Sequence, residues 1–307
     1  MHKVLLPIDG SEPSLEAAWL LAHLPHPDRL DLKVLSVVQR PFIHSSYATG
    51  ELLEKAYEQD RVYAAQAYTK VAEMFEGANA TLDHEISEGP VGEAIVDAAE
   101  RFNADLVVVG AKGHSQIGRM LLGSVSDHVA THCPCSTLVV RQTGLKGSDK
   151  PIKVCMAYEG IDSAKAALGE ISEIPWRSGT DFHVLTVATY LSDFIGVDGA
   201  AADAERTQRL ESDLKLASEK LSEVAPHAKT HLIRSDHVGE GIVAFAEANN
   251  VDLLVVGESP RNAVNRFLLG STSRYVLRHA PCSVWVTRNR TVRDARSGAE
   301  SQQTVAG

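Results

Sequence analysis

Apolar residues in this chain come in short dense runs, separated by longer stretches where they recur every three or four positions. Lys3 to Ile8 is such a run and predicts a strand buried on both faces. Ser11 follows as an N-cap with Pro13 in the first turn, and Leu15, Ala18, Trp19 and Ala22 then fall at helical spacing. Leu32 to Val38 predicts a second strand, Glu51 to Glu76 a long charged helix rich in alanine, and Ala80 to Ile86 a third strand. Val91, Ile95, Ala98, Ala99 and Phe102 mark one face of a helix. Leu106 to Val109 is an almost pure leucine and valine strand. After a glycine-punctuated loop, Ser124 to His132 predicts a short helix and Ser136 to Arg141 a last strand.

The series then repeats. Residues 121–141 and 268–288 align without gaps and share Leu-Leu-Gly-Ser, the next serine, a histidine, Pro-Cys-Ser and the final arginine. Ala104 to Gly110 matches Val251 to Gly257, and Val91-Gly-Glu matches Val238-Gly-Glu at the same offset. Strands are expected near Lys153–Tyr158, Phe182–Ala188, Lys229–Arg234, Leu253–Val256 and Val284–Thr287. Strands alternating with helices imply an α/β chain of two tandem doubly wound domains, each a five-stranded parallel sheet with helices on both faces. Gln142 to Lys150, polar and holding two glycines, reads as the linker. The expected domains are 1–143 and 151–289, followed by a polar, flexible tail over 290–307.

A length of 307 residues suits two such domains, and 44% hydrophobic residues can fill their cores. The net charge of −10 argues against nucleic acid and against an acidic membrane face as partners. No apolar run approaches the roughly 18 residues of a membrane span. Met1-His2-Lys3 enters the first strand without a signal-peptide pattern, so the cytoplasm is the expected address. Cys133-Pro-Cys135 has no partner pair nearby, and the 13 histidines show no ligand spacing, so no metal site is assigned.

The segment from Gly110 to Ser126 carries the candidate chemistry. It leaves the carboxyl end of a central strand and ends at a helix start, where open N–H groups and the helix dipole favour phosphate. Gly113 and Gly123 allow close approach of an anion, Ser124 and Ser126 add hydroxyls, and Lys112, His114 and Arg119 add charge. An ordinary loop glycine before a serine cap remains the plainer reading. The loop is not a Walker A motif, because Gly118 is followed by Arg119-Met120 instead of Lys-Ser/Thr. Pro7-Ile8-Asp9-Gly10-Ser11 ends the first strand, which neighbours the fourth in this fold. Asp9 there can accept hydrogen bonds from a ribose or an adenine amino group, or can simply cap the helix.

Pro-Ile-Asp-Gly-Ser after the first strand, with Gly-x2-Gly-x9-Gly-Ser after the fourth, resembles the universal stress protein family over both halves of the chain. The resemblance implies that Pro7, Asp9 and Val37 hold adenosine. It implies that Val109, Gly110, Gly113, Gly123, Ser124, Val125 and Ser126 hold the triphosphate side of ATP, and Asp9 alone could hold Mg2+ through the nucleotide. It also implies a stress-response regulator acting on a protein partner, with room for a homo-oligomer and at most slow hydrolysis. No Walker lysine or Mg2+-holding carboxylate pair is present. A scaffold without nucleotide and an adenylyl-transferring enzyme are the competing readings.

The second half departs from the motif. Glu159 stands for Asp9, Ala157 for Pro7 and Pro260 for Gly113, so ATP is expected in the first half alone, although Gly270-Ser271 survives. The two last strands are sheet edges that need cover, and in this family such strands commonly pair, so they are expected to face each other.

Overall fold

The protein was described from a computed structural model, which covers residues 2–26, 28–39, 50–112, 122–148, 150–176, 180–189, 198–258 and 269–288. The first half runs β1 (Lys3–Pro7), α1 (Glu12–His23), β2 (Leu30–Val38), α2 (Gly50–Met74), β3 (Ala80–Glu88), α3 (Val91–Phe102), β4 (Leu106–Gly110), α4 (Ser124–His132) and β5 (Ser136–Val140). The second repeats it as β6 (Ile152–Ala157), α5 (Asp162–Ser172), β7 (Thr180–Thr189), α6 (Asp198–Leu221), β8 (Lys229–Ser235), α7 (Val238–Ala248), β9 (Leu253–Gly257), α8 (Ser271–His279) and β10 (Ser283–Thr287).

The apolar runs form strands because both of their faces are covered. In β1, Val4 and Leu6 point into one core while Leu5 points into the other. Leu106 and Val108 of β4 alternate with Val107 and Val109 in the same way. The first core lies under α1, α2, α5 and α6, the second under α3, α4, α7 and α8. Helix α2 reads as charged over most of its length, yet Ala67 and Val71, with Phe75 just past its end, recur every four residues and are buried in the core.

All strands join one sheet, in the order β3-β2-β1-β4-β5-β10-β9-β6-β7-β8. Pairing is parallel within each half. Between the halves, β5 and β10 pair antiparallel with Val139 opposite Val284 and Leu138 opposite Trp285, so each last strand covers the other's edge as expected. The seam is polar where it must be. Trp285 is fully buried and donates its indole N–H to Oε1 of Glu170 at 3.1 Å, while Ser136 donates to Oε2 at 2.7 Å.

Candidate functional site

The strand order reverses between β1 and β4, and their carboxyl ends make the crevice where open α/β sheets bind ligands. Pro7 is the last residue of β1, opposite Leu35 of β2, and the N–H of Ile8 donates to the Leu35 carbonyl at 2.8 Å. There β1 leaves the sheet while β2 continues. Leu35 turns its carbonyl to β1, and the Val38 carbonyl accepts from Gly89 on the β3 side. Backbone groups alternate sides along a strand, so the N–H and C=O of Val37 face beyond the end of β1. The backbone contact expected of Val37 requires groups open in this direction, and side-chain pattern gives little signal for it.

Asp9 is exposed immediately past β1. Its Oδ1 accepts from the N–H of Ser11 at 3.0 Å and from the Ser11 hydroxyl. Ser11 in turn caps α1 at Ser14. Asp9 thus braces the turn into α1, the plainer role open to it, and also lines a cleft of about 490 Å³. Ile8, Ser36, Val37 and Val38 form the sheet side of that cleft, and Tyr63, Ala67 and Lys70 of α2 form the opposite wall. The α2 residues were not among those singled out from sequence. They read as the outer face of a charged helix, and only the crossing of α2 over the end of β1 makes them part of a cleft.

The other side of the crevice is the start of α4. A side chain at Gly110 would lie 2.6 Å from the Pro13 carbonyl, so this glycine is needed where β4 meets the first turn of α1. Gly123 is the N-cap of α4 and has no side chain to cap it, while its carbonyl accepts from the Ser126 hydroxyl at 3.0 Å. Its N–H donates to the Ala111 carbonyl at 2.8 Å, and a side chain on it would come within 3.2 Å of that oxygen. Ser124 and Val125 are exposed in the first turn, where backbone N–H groups have no intrahelical acceptor. Ser126 differs from its neighbours. It is buried and donates its hydroxyl to the Ala111 carbonyl at 2.7 Å, strapping α4 to the end of β4. Val109 is buried in the sheet beneath. Gly113, His114, Gly118 and Arg119 lie outside the described residues, as do Pro260 of the second loop and residues 290–307.

In the second half, Gly270 is likewise the N-cap of α8, and Ser273 donates to the Gly257 carbonyl at 2.8 Å. The cavity beside them is about 60 Å³ and is bounded by α5, α7 and α8. Glu159 is exposed at the place of Asp9. Burial pushes the Tyr158 hydroxyl above its ordinary range, and the charge of Asp213 adds to this. Among the described residues no group of three or more His, Cys, Asp or Glu side chains is placed to hold a metal ion. All four cysteines are buried and none forms a disulfide, and burial pushes the Cys282 thiol up to about 12, which keeps it protonated. No helix among the described residues is long and apolar enough to cross a membrane.

Fold and crevice together define a tandem doubly wound α/β protein with a switch point in each half. The profile described as the universal stress protein family matches residues 1–141 and again residues 152–288, and the chain belongs to that family. It is 28% identical over 243 residues to a universal stress protein of Mycolicibacterium smegmatis, covering 78% of this chain and 80% of that one. A universal stress protein of Methanocaldococcus jannaschii is 32% identical over 142 residues, 46% of this chain and 82% of the relative. Among solved structures, a universal stress protein from Archaeoglobus fulgidus superposes with a TM-score of 0.68 at 20% identity, covering 94% of this chain and 98% of the other, which shows the shared fold.

Proposed function

We propose that this universal stress protein is a cytoplasmic regulator that binds ATP in its first half. The observation that carries this reading is the pairing, on one sheet edge, of the Asp9 cleft with an uncapped helix start at Gly123. Asp9 and the backbone of Val37 hold the nucleoside. The first-turn N–H groups of α4, with the Ser124 hydroxyl, hold phosphate oxygens through charge-assisted hydrogen bonds and the helix dipole. Pro7, Val109 and Gly110 shape the crevice floor, Ser126 fixes the helix that closes it, and Gly113 belongs to the same loop. Mg2+ enters with the nucleotide, bound to its phosphates. Nothing in this set activates water, so binding itself is the output, read by a protein partner.

Isothermal titration of the full chain with ATP tests the reading. Asp9→Asn keeps an acceptor for Ser11 and removes the charge, and it is expected to weaken binding about tenfold. Gly123→Val places a branched side chain at the phosphate approach and is expected to abolish binding with the circular dichroism unchanged. Wild-type protein that takes up no ATP would return the chain to a scaffold role. Conversion of ATP to AMP with transfer of the adenylyl group would make it an enzyme.

A further inference from the structure

Helices α2 and α6 cross their half-sheets at equivalent places, and two turn glycines locate the crossing. Gly10 follows β1 with φ of 75°, and a side chain built on it would meet Ala67 of α2 at 3.5 Å. Gly160 follows β6 with φ of 72°, and a side chain built there would meet the carboxylate carbon of Asp213 at 2.6 Å. Ala67 and Asp213 therefore face the same turn in the two halves. Their surroundings differ in the same sense. Ile8 before Gly10 becomes Tyr158 before Gly160, and Ala64, three residues before Ala67, becomes the buried Leu210, three before Asp213. The Thr186 hydroxyl also donates to the Tyr158 carbonyl at 2.6 Å, tying the end of β6 to β7.

Each exchange puts a larger side chain beside the turn in the second half. The first half keeps a cleft of about 490 Å³ walled by α2. In the second half a cavity of about 60 Å³ lies elsewhere, at the ends of β6 and β9 against α7 and α8. The cleft is lined by apolar Ile8, Val38, Ala64 and Ala67 together with polar groups, among them Asp9, Asp60 and Lys70. Tyr63 stands on its α2 wall with 58% of its surface exposed. A cleft of mixed lining with an exposed aromatic ring on one wall suits a planar heteroaromatic base, which can stack on that ring and offer its polar edge to the neighbouring side chains.

We infer that Ala67 is a specificity-determining residue of the first half. Resting on the nucleotide reading above, its small side chain keeps α2 clear so that the purine of ATP can lie in the cleft against Tyr63. Asp213, at the same place in α6, closes the second half to a base. The discrimination between halves then lies in a helix outside every motif residue, independently of the glycine loop.

The test uses the full chain, isothermal titration, and two probes, ATP and inorganic tripolyphosphate. Ala67→Asn copies the shape of Asp213 without its charge and is expected to weaken ATP binding at least about tenfold while leaving tripolyphosphate binding unchanged. Tyr63→Ala, at an exposed position that does not threaten folding, is expected to weaken ATP binding about tenfold. Thr69→Asp, on the exposed side of α2, adds charge without entering the cleft and should match wild type. Wild-type ATP affinity in folded Ala67→Asn, or in Tyr63→Ala, overturns the assignment while leaving the ATP reading intact. Loss of tripolyphosphate binding in step with ATP overturns it too, because the substitution then acts on the whole site. Failure of the unmodified chain to bind ATP overturns both.

Discussion

The guanidinium of Arg288, just past β10, donates from Nη2 to the carbonyl of Ala130 in the first half, 2.8 Å away. Arg141, just past β5, does the reciprocal and donates from Nη2 to the Leu277 carbonyl of α8 at 2.7 Å. Each last strand thus ends in a buried arginine that closes the carboxyl end of the other half's α4 or α8 helix. Terminal helix carbonyls lack intrahelical donors, and a cation there also complements the dipole. The seam between halves is therefore built through the same helices whose other ends face the switch points.

Arg288 carries a second obligation, since its Nε lies 3.4 Å from Oε1 of the largely buried Glu258. Arg288→Met keeps much of the side-chain volume but strands that carboxylate together with the Ala130 and Cys135 carbonyls. Removing one partner of a buried ion pair costs about 3–5 kcal/mol. Urea unfolding should show a loss of that size. A change below about 0.5 kcal/mol, the range of ordinary surface substitutions, would mean the contacts hold nothing together.

Trp285 and Glu170 make the seam asymmetric, because Leu138 stands opposite Trp285 and offers no donor of its own. Trp285→Phe retains an aromatic ring and deletes the N–H that Glu170 accepts. Leaving a buried carboxylate oxygen with one partner fewer costs about 1–3 kcal/mol. The expected readout is a lower urea midpoint with an unchanged slope. A midpoint equal to wild type would show that Glu170 is satisfied without the Trp285 N–H.

The fold was legible because both signals it rests on are local. Runs such as Leu106 to Val109 announce strands covered on both faces, and the repeat of Leu-Leu-Gly-Ser through Pro-Cys-Ser announces duplication. The site was legible only in part. Gly110 and Gly123 stood out as glycines, but the sequence does not distinguish a glycine kept for a phosphate from one kept because Pro13 or Ala111 lies against it. Ser124 and Ser126 look alike in sequence, yet one is exposed and the other is a buried strap. Ala67 and Tyr63 gave no sign, since their importance depends on where a helix crosses a turn some 57 residues earlier in sequence for Ala67 and Gly10. Pairing of β5 with β10 was legible from edge logic together with the family resemblance, whereas the reciprocal arginines were not, because their acceptors are backbone groups of the other half.

Glu258 also gives a pH dependence. Burial raises its carboxyl above the ordinary 4.5, and Arg288 partly offsets this. The unfolded chain releases the proton near the ordinary value while the folded chain holds it longer, so stability falls as pH rises from there through the folded value. Glu258→Gln cannot titrate, so its urea midpoint should decline less than wild type across that window. In Arg288→Met the offset is gone and the decline should extend to higher pH. A Glu258→Gln curve parallel to wild type would show that other groups set the dependence.

Two serines in the first turn of α4 separate structure from binding. A hydroxyl has one proton, and that of Ser126 is shared between the Ala111 carbonyl at 2.7 Å and the Gly123 carbonyl at 3.0 Å, both inside the fold. Ser126→Ala removes that strap and leaves a backbone carbonyl short of a donor, at a cost of about 1 kcal/mol. Ser124 is exposed at the same turn, so Ser124→Ala should stay within about 0.5 kcal/mol of wild-type stability. If the hydroxyl of Ser124 donates to a phosphate oxygen, its loss removes a hydrogen bond to a charged group, and ATP affinity should fall about tenfold or more. The two variants are therefore expected to move different quantities, urea midpoint for Ser126→Ala and dissociation constant for Ser124→Ala. Should Ser124→Ala bind ATP as wild type does, with Ser126→Ala carrying the whole binding loss, the phosphate would have to be held by backbone N–H groups alone, and the role given to the exposed hydroxyl would be withdrawn.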